Sequence, residues 1–508
     1  MEMKLAPRNL QPATRNLKIS ISYPPLESDK GIPLLGQNRQ FQWFSEPTYI
    51  YPMVPAYAAT LLKENGFEVI WDDAIAEGLT YAQWLERIKR EQPDVVAIET
   101  KTPVIKRHWK IIDDLKKLAT GNWQPATVLM GDHVTALPEE SMLNSPVDFV
   151  LTGGDYDFLL LNLCNQLVTR NPQRATNFMP GIWCREEGRI KNTGQYELNH
   201  DLNTLPLIDR DLTKWKLYSE KNGNYKRLPG TYTMAGRDCW YHKCSFCSWT
   251  TTYPQFRVRT PESLLEEIGM LIGKYGVKEI MDDTGTFPAG EWLRSFCKGM
   301  IEQKYNEKIF IDCNMRFGAV SNEDYRLMKK AGFRLLLFGI ESANQKTLDR
   351  LNKGLTVEKI IESCKQARCA GLFPHITIMF GYPWETYEDA LNTLNLGKWL
   401  LKKGYAWTVQ ATVVIPYPGT PLFEECRKNN YLETEDWDRY DMREPVMKTS
   451  MPKSKVMELV QGIYSTAFNP EFLIRRFLSI RDASDINYFV RAGKKVFGHL
   501  MDFGQRKI

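Results

Sequence analysis

The sequence predicts an α/β protein with two parallel sheets covered by helices and a helical region at the C-terminus. Two observations predict this class. Short β-rich apolar runs alternate with helix-like segments over about residues 15–165, and the alternation restarts over 228–415, which is typical of parallel sheets. The chain has 508 residues, too many for one core. We place the domain boundaries at 1–165, a connector 166–227, 228–429 and 430–508.

The first alternating stretch predicts a doubly wound, Rossmann-like sheet. The expected elements are Leu17–Ser22, Val54–Asn65, Phe67–Trp71, Tyr81–Glu91, Val95–Ile98, Lys106–Ala119, Ala126–Met130 and Val147–Leu151. Ligands of such sheets bind beyond the carboxyl ends of the strands. We therefore expect a pocket at the loops that contain Tyr23, Asp73, Gly131 and Gly153. The alternative for the two glycines is an ordinary role in turns.

The second alternating stretch predicts six βα-like units that form a partial, TIM-type barrel. After a cysteine-rich loop the expected elements are helix Pro261–Tyr275 capped by Thr260, strand Glu279–Met281, helix Gly290–Tyr305, strand Ile309–Cys313, helix Asn322–Ala331, strand Arg334–Phe338, helices Gln345–Leu351 and Val357–Ala370, strand Ile376–Phe380, helix Tyr387–Leu401 and strand Val409–Ile415. Such barrels carry their active groups where the strands end. Polar side chains follow three of these strands, at Asp282, Asp283, Arg316, Glu341 and Ser342.

Three cysteines, Cys239, Cys244 and Cys247, crowd into nine residues directly after an extended run. Three thiolates without a fourth nearby ligand leave one iron of a cubane iron–sulfur cluster open, and an open iron can bind a small molecule. A zinc site completed by His242 is the alternative. Structural zinc sites usually draw two ligand pairs from separate segments, so we favour the cluster.

Composition and charge exclude several classes of protein. The net charge of +5 on 508 residues gives no electrostatic argument for nucleic-acid binding. Because the chain contains no 18-residue apolar run and its first 16 residues hold no apolar signal core, we expect neither a transmembrane helix nor a signal peptide. Ten cysteines without an export signal indicate a reducing, cytoplasmic compartment.

The middle of the chain resembles the radical S-adenosylmethionine superfamily, in its cobalamin-dependent branch that includes the anaerobic magnesium-protoporphyrin ester cyclase. The resemblance covers about residues 225–425. It rests on the cysteine triplet together with the motifs that close the barrel strands, namely Asp282-Asp283-Thr284-Gly285, Gly339-Ile340-Glu341-Ser342 and Gly381-Tyr382-Pro383.

This resemblance implies a [4Fe–4S] cluster on Cys239, Cys244 and Cys247, with its open iron chelated by the amino and carboxylate groups of S-adenosylmethionine. Phe246 matches the aromatic residue that the family places beside the adenine or the cluster. The usual family spacing is Cys-x3-Cys-x2-Cys, whereas four residues separate the first two cysteines here. We expect the extra residue to enlarge the loop without preventing ligation.

The resemblance and the chemistry of the cofactor together imply roles for the strand-end residues. The ammonium group needs acceptors such as Asp282 and Asp283, and the carboxylate needs a cation such as Arg316. The ribose diol needs an acceptor such as Glu341, with Ser342 beside it. Turn formation is the alternative for the aspartates, and a helix N-terminal charge is the alternative for Glu341. No residue is assigned a catalytic role.

Residues 15–165 resemble the cobalamin-binding domain that precedes such radical enzymes. The matching pieces include the Asp72-Asp73 turn, Gly131-Asp132-His133 and Gly153-Gly154. Families that bind cobalt through a lower histidine carry Asp-x-His-x-x-Gly, and Ile75 stands at the histidine position here. The resemblance therefore implies cobalamin without a lower histidine ligand. A fold that binds no corrin is the alternative.

By this resemblance the chain cleaves S-adenosylmethionine to a 5′-deoxyadenosyl radical and methylates an unactivated carbon with methylcobalamin. Radical cyclisation or carbon–carbon bond formation without methyl transfer is the alternative, and a non-enzymatic iron–sulfur or corrin sensor is a third hypothesis. An electron donor such as flavodoxin or ferredoxin is implied. The aromatic content of 12% suggests an apolar small-molecule substrate.

The C-terminal segment 430–508 is rich in helix-like and aromatic sequence and carries basic residues such as Arg475, Arg476 and Arg491. It could lie over the barrel mouth as a substrate lid, contact an anionic membrane from one side, or form a solvated helical cap. We favour the cap.

Overall fold

The computed structural model describes residues 17–34, 41–119, 121, 123–168, 178–223, 225–464, 470–480 and 483–502. The first 16 residues, to which the signal-peptide argument applies, lie outside this set, as does part of the expected connector.

The first part of the described chain alternates strands and helices as expected. Its elements are β1 (Lys18–Tyr23), β2 (Ile32–Pro33), β3 (Trp43–Phe44), α1 (Met53–Glu64), β4 (Glu68–Asp73), α2 (Ala74–Glu77), α3 (Tyr81–Glu91), β5 (Val95–Glu99), α4 (Ile105–Leu118), β6 (Ala126–Met130), α5 (Asp132–Ala136), α6 (Pro138–Asn144), β7 (Phe149–Leu151), α7 (Tyr156–Val168), β8 (Ile182–Glu186) and β9 (Arg189–Asn192).

Seven of these nine strands form one sheet in the order β4-β1-β5-β6-β7-β8-β9, and β2 pairs with β3 separately. The first five strands pair in parallel, and β5, β6 and β7 are almost fully buried, as expected of a sheet covered on both faces. The chain runs from β1 out to β4 and returns to β5 on the other side. The strand order therefore reverses between β1 and β5, and ligands bind at such a switch point. The doubly wound prediction is confirmed.

Strands β8 and β9 lie in the stretch for which the sequence predicts only a polar connector. They form a hairpin that extends the sheet by antiparallel pairing with β7. The two-residue loop Glu187-Gly188 has positive φ at both positions, 51° and 76°, which is the backbone that a tight hairpin requires. The connector prediction misses this hairpin because β9 is short and polar, and only alternate residues of β8 are buried.

The second part of the chain forms the barrel. Its elements are β10 (Gly230–Thr233), β11 (Gly236–Arg237), α8 (Trp249–Thr252), β12 (Arg257–Val258), α9 (Pro261–Gly273), β13 (Glu279–Asp282), α10 (Glu291–Glu302), β14 (Phe310–Asn314), α11 (Asn322–Lys330), β15 (Phe333–Glu341), α12 (Gln345–Arg350), α13 (Val357–Cys369), β16 (Phe373–Phe380), α14 (Tyr387–Lys403), β17 (Thr408–Val413) and α15 (Pro421–Lys428).

Six of these strands pair in parallel in the order β10-β13-β14-β15-β16-β17. In the part of the chain that the structure describes, β10 and β17 are the two edges of this sheet, so the barrel is open on one side. The partial (β/α)6 barrel is confirmed. Its helices begin where the sequence predicts: Thr260 caps α9 by accepting a hydrogen bond from the Ser263 backbone N–H, and Pro261 takes the first helical position.

The C-terminal region contains α16 (Lys453–Gly462), α17 (Pro470–Leu478) and α18 (Ala483–Asp502). The preceding segment 430–452 is largely irregular, and it packs on the first sheet instead of continuing the helical cap. The Trp437 indole N–H donates to Glu140 at 2.9 Å, and Lys106 pairs with Asp436 at 2.6 Å. None of the helices in the described residues has the length and apolar character needed to cross a bilayer.

Candidate active site

The strand ends of the barrel and the cysteine loop enclose a cavity of about 230 Å³. Cys239, Cys244 and Cys247 all line it, and no other cysteine of the described chain does. The triplet therefore faces the barrel interior, as the sequence predicts.

Asp282 fixes the start of the cysteine loop. Its carboxylate accepts hydrogen bonds from the Thr233 hydroxyl at 2.9 Å, from the Ala235 backbone N–H at 2.9 Å and from the Thr284 backbone N–H at 3.1 Å. Burial raises the pKa of Asp282. The side chain does not line the cavity, so its contribution in this geometry is to hold β10, β13 and the loop together.

The three thiols are held by the loop itself. The Cys239 Sγ lies 2.9 Å from the Thr286 hydroxyl, and the Cys247 backbone N–H donates to the Cys244 carbonyl at 3.3 Å. Burial raises the pKa of the Cys244 thiol to about 11, although Lys353 acts in the opposite direction. A free Cys244 would therefore stay protonated at neutral pH, and its deprotonation requires a bound cation such as iron.

The zinc alternative finds no support in this geometry. The His242 Nδ1 lies 2.7 Å from the Asp238 carboxylate. Within the described ranges, no three His, Cys, Asp or Glu side chains are grouped closely enough to hold a single metal ion.

Glu341 projects into the cavity from the end of β15. The register of β15 against β16 shifts between Gly339 and Glu341, and Glu341 itself has φ of 67°, a left-handed conformation that costs energy for a residue with a side chain. A Cβ atom at position 339 would lie 2.0 Å from the Glu341 Oε1, so glycine there leaves room for the carboxylate. Strain of this kind is common at functional sites.

Lys353 is the partner of Glu341, and sequence reasoning missed it. Its Nζ lies 2.8 Å from the Glu341 Oε1 and 5.5 Å from the centroid of the Phe246 ring, and all three side chains line the cavity. Burial lowers the pKa of Lys353, but Glu341 outweighs that effect and holds the pKa above its ordinary value. The site thus contains a buried ammonium beside a buried carboxylate, near the cysteine loop.

Arg316 and Asp283 also line the cavity. The Arg316 Nη2 donates to the Lys353 carbonyl and, at 3.0 Å, to the Gly354 carbonyl. Its guanidinium carbon lies 3.4 Å from the centroid of the Tyr241 ring. Arg316 therefore braces the turn that carries Lys353 against the cysteine loop, and part of its hydrogen-bonding capacity is already used.

Ser342 lies behind the cavity wall. It is buried and donates to the Glu385 carboxylate at 2.6 Å, and its hydroxyl also accepts from the Asn344 backbone N–H at 3.1 Å. These bonds fix the turn after Glu341. The structure thus brings Phe246, Asp283, Arg316 and Glu341 to the cavity that contains the three thiols, and it places Asp282 and Ser342 one layer behind them.

The opposite wall of the cavity comes from β16 and β17. His375, Thr377 and Met379 alternate along β16, and Gln410 and Thr412 alternate along β17. The His375 Nδ1 lies 2.7 Å from the Thr408 hydroxyl, and burial lowers the pKa of His375 to about 4, so the imidazole is neutral at pH 7. Polar residues at every second position of β16 and β17 are the sequence pattern that could have predicted this wall of the cavity.

A second, small cavity of about 20 Å³ lies between the carboxyl edge of the first sheet and the barrel. Glu99, Lys101 and Gly131 line it from the first sheet, and Trp249 and Tyr253 line it from the barrel. Ser248 and Trp249 also line the large cavity, so the two spaces are neighbours.

The four first-domain residues predicted to bind a ligand have different surroundings. Tyr23 donates its phenol hydrogen to the Glu99 carboxylate, which also accepts from Tyr156 at 2.9 Å. A Cβ atom on Gly131, which lines the small cavity, would lie 2.4 Å from the Thr100 carbonyl oxygen, and one on Gly153 would lie 2.5 Å from the Tyr196 ring.

Asp73 does not line either of these cavities. It caps α2 by accepting a hydrogen bond from the Ala76 backbone N–H at 2.9 Å, and it accepts another from the Tyr218 hydroxyl at 2.6 Å. Burial raises the pKa of Asp73 to about 6, while these hydrogen bonds act in the opposite direction. In this geometry Asp73 therefore stabilises the start of α2 and its contact with Tyr218.

The edge of the first sheet fits a corrin in its chemistry, because it combines glycine turns with Glu99, Lys101 and Asp132. No histidine lines the small cavity in the described chain. Both ring nitrogens of nearby His133 are engaged, Nδ1 with Thr102 and Nε2 with Glu140, each at 3.1 Å. A corrin needs far more room than the about 20 Å³ of the small cavity.

A buried ion-pair cluster joins this edge to the cysteine loop. We call Asp155, Asp157, Arg237, Arg257 and His200 the junction cluster. The Arg237 guanidinium donates to Asp155 at 2.7 Å and to both oxygens of Asp157. Arg257 donates to both oxygens of Asp155, and the His200 Nδ1 lies 2.8 Å from Asp155. Arg237 is two residues before Cys239, and Asp155 follows Gly154, so the cluster ties the two candidate binding regions together.

Comparison with known proteins agrees with this arrangement. Residues 235–397 match the model of the Radical SAM superfamily. The chain is 28% identical over 429 residues to an uncharacterized methyltransferase of Pyrococcus horikoshii, covering 84% of this chain and 89% of that protein. It is 27% identical to the anaerobic magnesium-protoporphyrin IX monomethyl ester cyclase of Cereibacter sphaeroides, covering 81% of this chain and 65% of the cyclase.

A solved structure shares the overall fold. The cobalamin-dependent S-adenosylmethionine radical enzyme OxsB, with aqua-cobalamin and S-adenosylmethionine bound, superposes with a TM-score of 0.68 at 15% identity. The match covers 96% of this chain and 72% of that chain. At this identity the likeness establishes the fold, including the order of the Rossmann-like sheet, the barrel and the C-terminal region.

Proposed function

We propose that this chain, whose residues 235–397 match the model of the Radical SAM superfamily, uses a [4Fe–4S] cluster, S-adenosylmethionine and cobalamin to methylate an unactivated carbon of an apolar small molecule. One observation carries the proposal. Three thiols, a carboxylate–ammonium pair and an aromatic ring line a single barrel cavity, and Ser248 and Trp249 line both that cavity and the small cavity at the edge of the doubly wound sheet.

Cys239, Cys244 and Cys247 would hold the cluster, because three thiols in one cavity match a cubane with one iron left for another ligand. When bound, the cluster and S-adenosylmethionine supply a radical that removes a hydrogen atom from an unactivated carbon, and the corrin supplies the methyl group. A saturated carbon is not a nucleophile, so ordinary methyl transfer cannot reach it.

The residues of the chain orient the cofactor and exclude water. Lys353 offers its ammonium to the carboxylate of S-adenosylmethionine, and the braced Arg316 offers its remaining N–H groups beside it. Glu341 offers carboxylate oxygens to the ribose hydroxyls, and Phe246 offers an apolar face. Asp283 lines the cavity, whereas Asp282 does not, so Asp283 is the residue that binds the ammonium group of S-adenosylmethionine.

The edge of the first sheet would hold the corrin without a histidine ligand. Supporting this, Ile75 occupies the position of the histidine, and no histidine lines the small cavity among the described residues. Glycine at positions 131 and 153 lets the backbone approach neighbouring residues closely, where a Cβ atom would collide with them. Tyr23 acts indirectly, through its hydrogen bond to Glu99.

Methylation is favoured over cyclisation by the relative that matches along nearly its whole length, the Pyrococcus horikoshii protein, which is called a methyltransferase. The cyclase is longer, and this chain spans 65% of it. We infer that the electron comes from a flavodoxin or ferredoxin, and that the protein works in the reducing cytoplasm, because none of its ten cysteines forms a disulfide in the structure.

The test is an anaerobic turnover experiment with the reconstituted full chain and S-adenosylmethionine labelled on its methyl group. With dithionite or reduced flavodoxin we expect 5′-deoxyadenosine. With hydroxocobalamin and an apolar extract of the source cells we expect a product that gains one labelled CH₂. A product that loses two hydrogens and gains no label would establish the cyclisation alternative. Absence of 5′-deoxyadenosine with every reductant would contradict the radical chemistry itself.

Replacing Lys353 by methionine should weaken binding of S-adenosylmethionine by about ten- to a hundredfold, because the variant loses the cation and leaves Glu341 buried without its partner. Equilibrium dialysis of the iron-loaded protein measures this affinity. Lys359→Met is the matched control, since Lys359 is exposed and does not line the cavity. Equal affinity in Lys353→Met and the wild type would remove Lys353 from the site.

A further inference from the structure

Exposed large apolar side chains concentrate in the C-terminal helices. Six of the eleven such residues in the described chain fall between residues 473 and 490. Four of them belong to α17, with exposed fractions of 51% for Leu473, 58% for Ile474, 74% for Phe477 and 75% for Leu478. We call these four side chains the α17 face. Isolated exposed apolar residues are ordinary, whereas a group of this kind indicates contact with another surface.

The spacing of these residues places them on one side of the helix. Positions i, i+1, i+4 and i+5 span an arc of about 140° at 100° per residue. The opposite side of α17 packs on the barrel, and it includes a charged residue. The Arg476 guanidinium carbon lies 3.6 Å from the centroid of the Trp407 ring and 4.5 Å from that of Phe472.

This orientation is the reverse of an ordinary surface helix, which turns its apolar side inward. Burial lowers the pKa of Arg476 to about 10, so the inward arginine is held at a cost. The sequence favours a solvated cap for this region. Four exposed apolar side chains on one side of a helix are unusual for such a cap.

The charges around the α17 face are basic. Arg475 and Lys494 are exposed. Two of the acidic residues of these helices lie near cations: Glu471, whose side chain is 56% exposed, lies 3.9 Å from Lys402, and Asp485 is 1% exposed and pairs with Lys226. An apolar face flanked by exposed cations is complementary to an anionic lipid surface, where each basic residue near the headgroups adds attraction.

We propose that the α17 face docks this protein onto an anionic phospholipid membrane, with the four apolar side chains below the headgroups and Arg475 and Lys494 among the phosphates. Helix α17 has nine residues, too few to span a bilayer, so it lies in the plane of the interface. The proposal goes beyond the proposed function and does not depend on it.

A second copy of this chain fits the α17 face less well than an anionic membrane does. A two-fold contact through this face would bring Arg475 and Lys494 of one copy towards those of the other, and like charges across an interface oppose association. A stable dimer also needs about 800 Å² from each partner, whereas the α17 face offers only four side chains.

The test is co-sedimentation of the full chain with vesicles of phosphatidylcholine alone or mixed with phosphatidylglycerol. We expect binding to the mixed vesicles only, and loss of that binding at about 0.5 M salt, where surface charges are screened. The double variant Phe477→Ser, Leu478→Ser should lower the partition coefficient at least about tenfold, and Arg475→Glu should lower it less. Both sites are exposed, so the thermal midpoint should not change.

Leu143→Ser is the matched control, because Leu143 is 71% exposed on α6, outside this region, and should bind vesicles like the wild type. Equal binding of both vesicle types, no binding to either, or equal loss in the control would overturn the proposal. A concentration-dependent dimer in sedimentation velocity that Phe477→Ser, Leu478→Ser abolishes would assign the α17 face to a second copy instead. None of these readouts depends on the cluster or the corrin.

Discussion

Replacing Cys244 by alanine should remove the iron–sulfur cluster completely, so that bound iron falls from about four atoms per chain to background. The same result is expected for Cys239→Ala and Cys247→Ala. Three of the four irons of the cubane are each held by one thiolate, and no other cysteine of the described chain lines the cavity to replace a lost one. Iron and sulfide analysis of anaerobically reconstituted protein, together with absorption near 400 nm, measures the outcome.

Cys369→Ala is the matched control for these variants. Cys369 is exposed and does not line the cavity, so this variant should keep its full iron content. Cluster retained in any of the three cavity variants would show that the ligands are different residues. Stoichiometric zinc in the wild type, bound without sulfide, would restore the zinc alternative and exclude the radical chemistry.

The barrel could be predicted from the sequence because its signals are local. Each of the strands β13 to β17 overlaps an apolar run that the sequence predicts as a strand, and turn residues separate those runs from the helices. The strand-end position of Glu341 follows from the same pattern. Its left-handed backbone does not, because φ of 67° there depends on the register shift against β16.

The contacts of the candidate site that the sequence does not reveal depend on distant parts of the chain. Asp73 appears available in a loop, yet it is occupied by Tyr218, 145 residues further on. Lys353 follows a helix instead of a strand, so a search of strand ends does not find it. It belongs to the site only because α12 and its turn fold back over the cysteine loop, where Lys353 meets Glu341.

The junction cluster is the clearest case of a long-range contact. Asp155 and Asp157 come from the start of α7, and Arg237 comes from β11, about 80 residues later. Burial raises the pKa of Asp155, but Arg237 and Arg257 outweigh it and hold that pKa well below its usual range. Asp155 is therefore ionised at neutral pH, and its charge is balanced only while both domains are in place. The junction cluster therefore makes the position of the cysteine loop depend on its contact with the first sheet.

Arg237→Met should cost about 3–5 kcal/mol in free energy of unfolding. Methionine keeps much of the volume but leaves two buried carboxylates without their shared cation. Chemical denaturation of the unloaded protein, followed by tryptophan fluorescence, measures the loss. Arg294→Met is the matched control, because Arg294 forms an ion pair with Asp324 but is 53% exposed, and such pairs contribute under about 1 kcal/mol.

Adding Asp157→Asn to Arg237→Met should restore part of the lost stability, since it removes the charge of the carboxylate that loses its hydrogen bonds to Arg237, whereas Asp155 keeps Arg257. Arg237→Lys should fall between the wild type and the methionine variant, because lysine keeps the charge but lacks the fork that reaches both aspartates. If the junction cluster only supports the fold, the electron paramagnetic resonance signal of the reduced iron–sulfur cluster should be the same in Arg237→Lys as in the wild type. If the junction cluster positions the cysteine loop, that signal should shift in Arg237→Lys although the iron content stays full. Equal stability of Arg237→Met and Arg294→Met would mean that the buried pairs contribute no more than exposed ones.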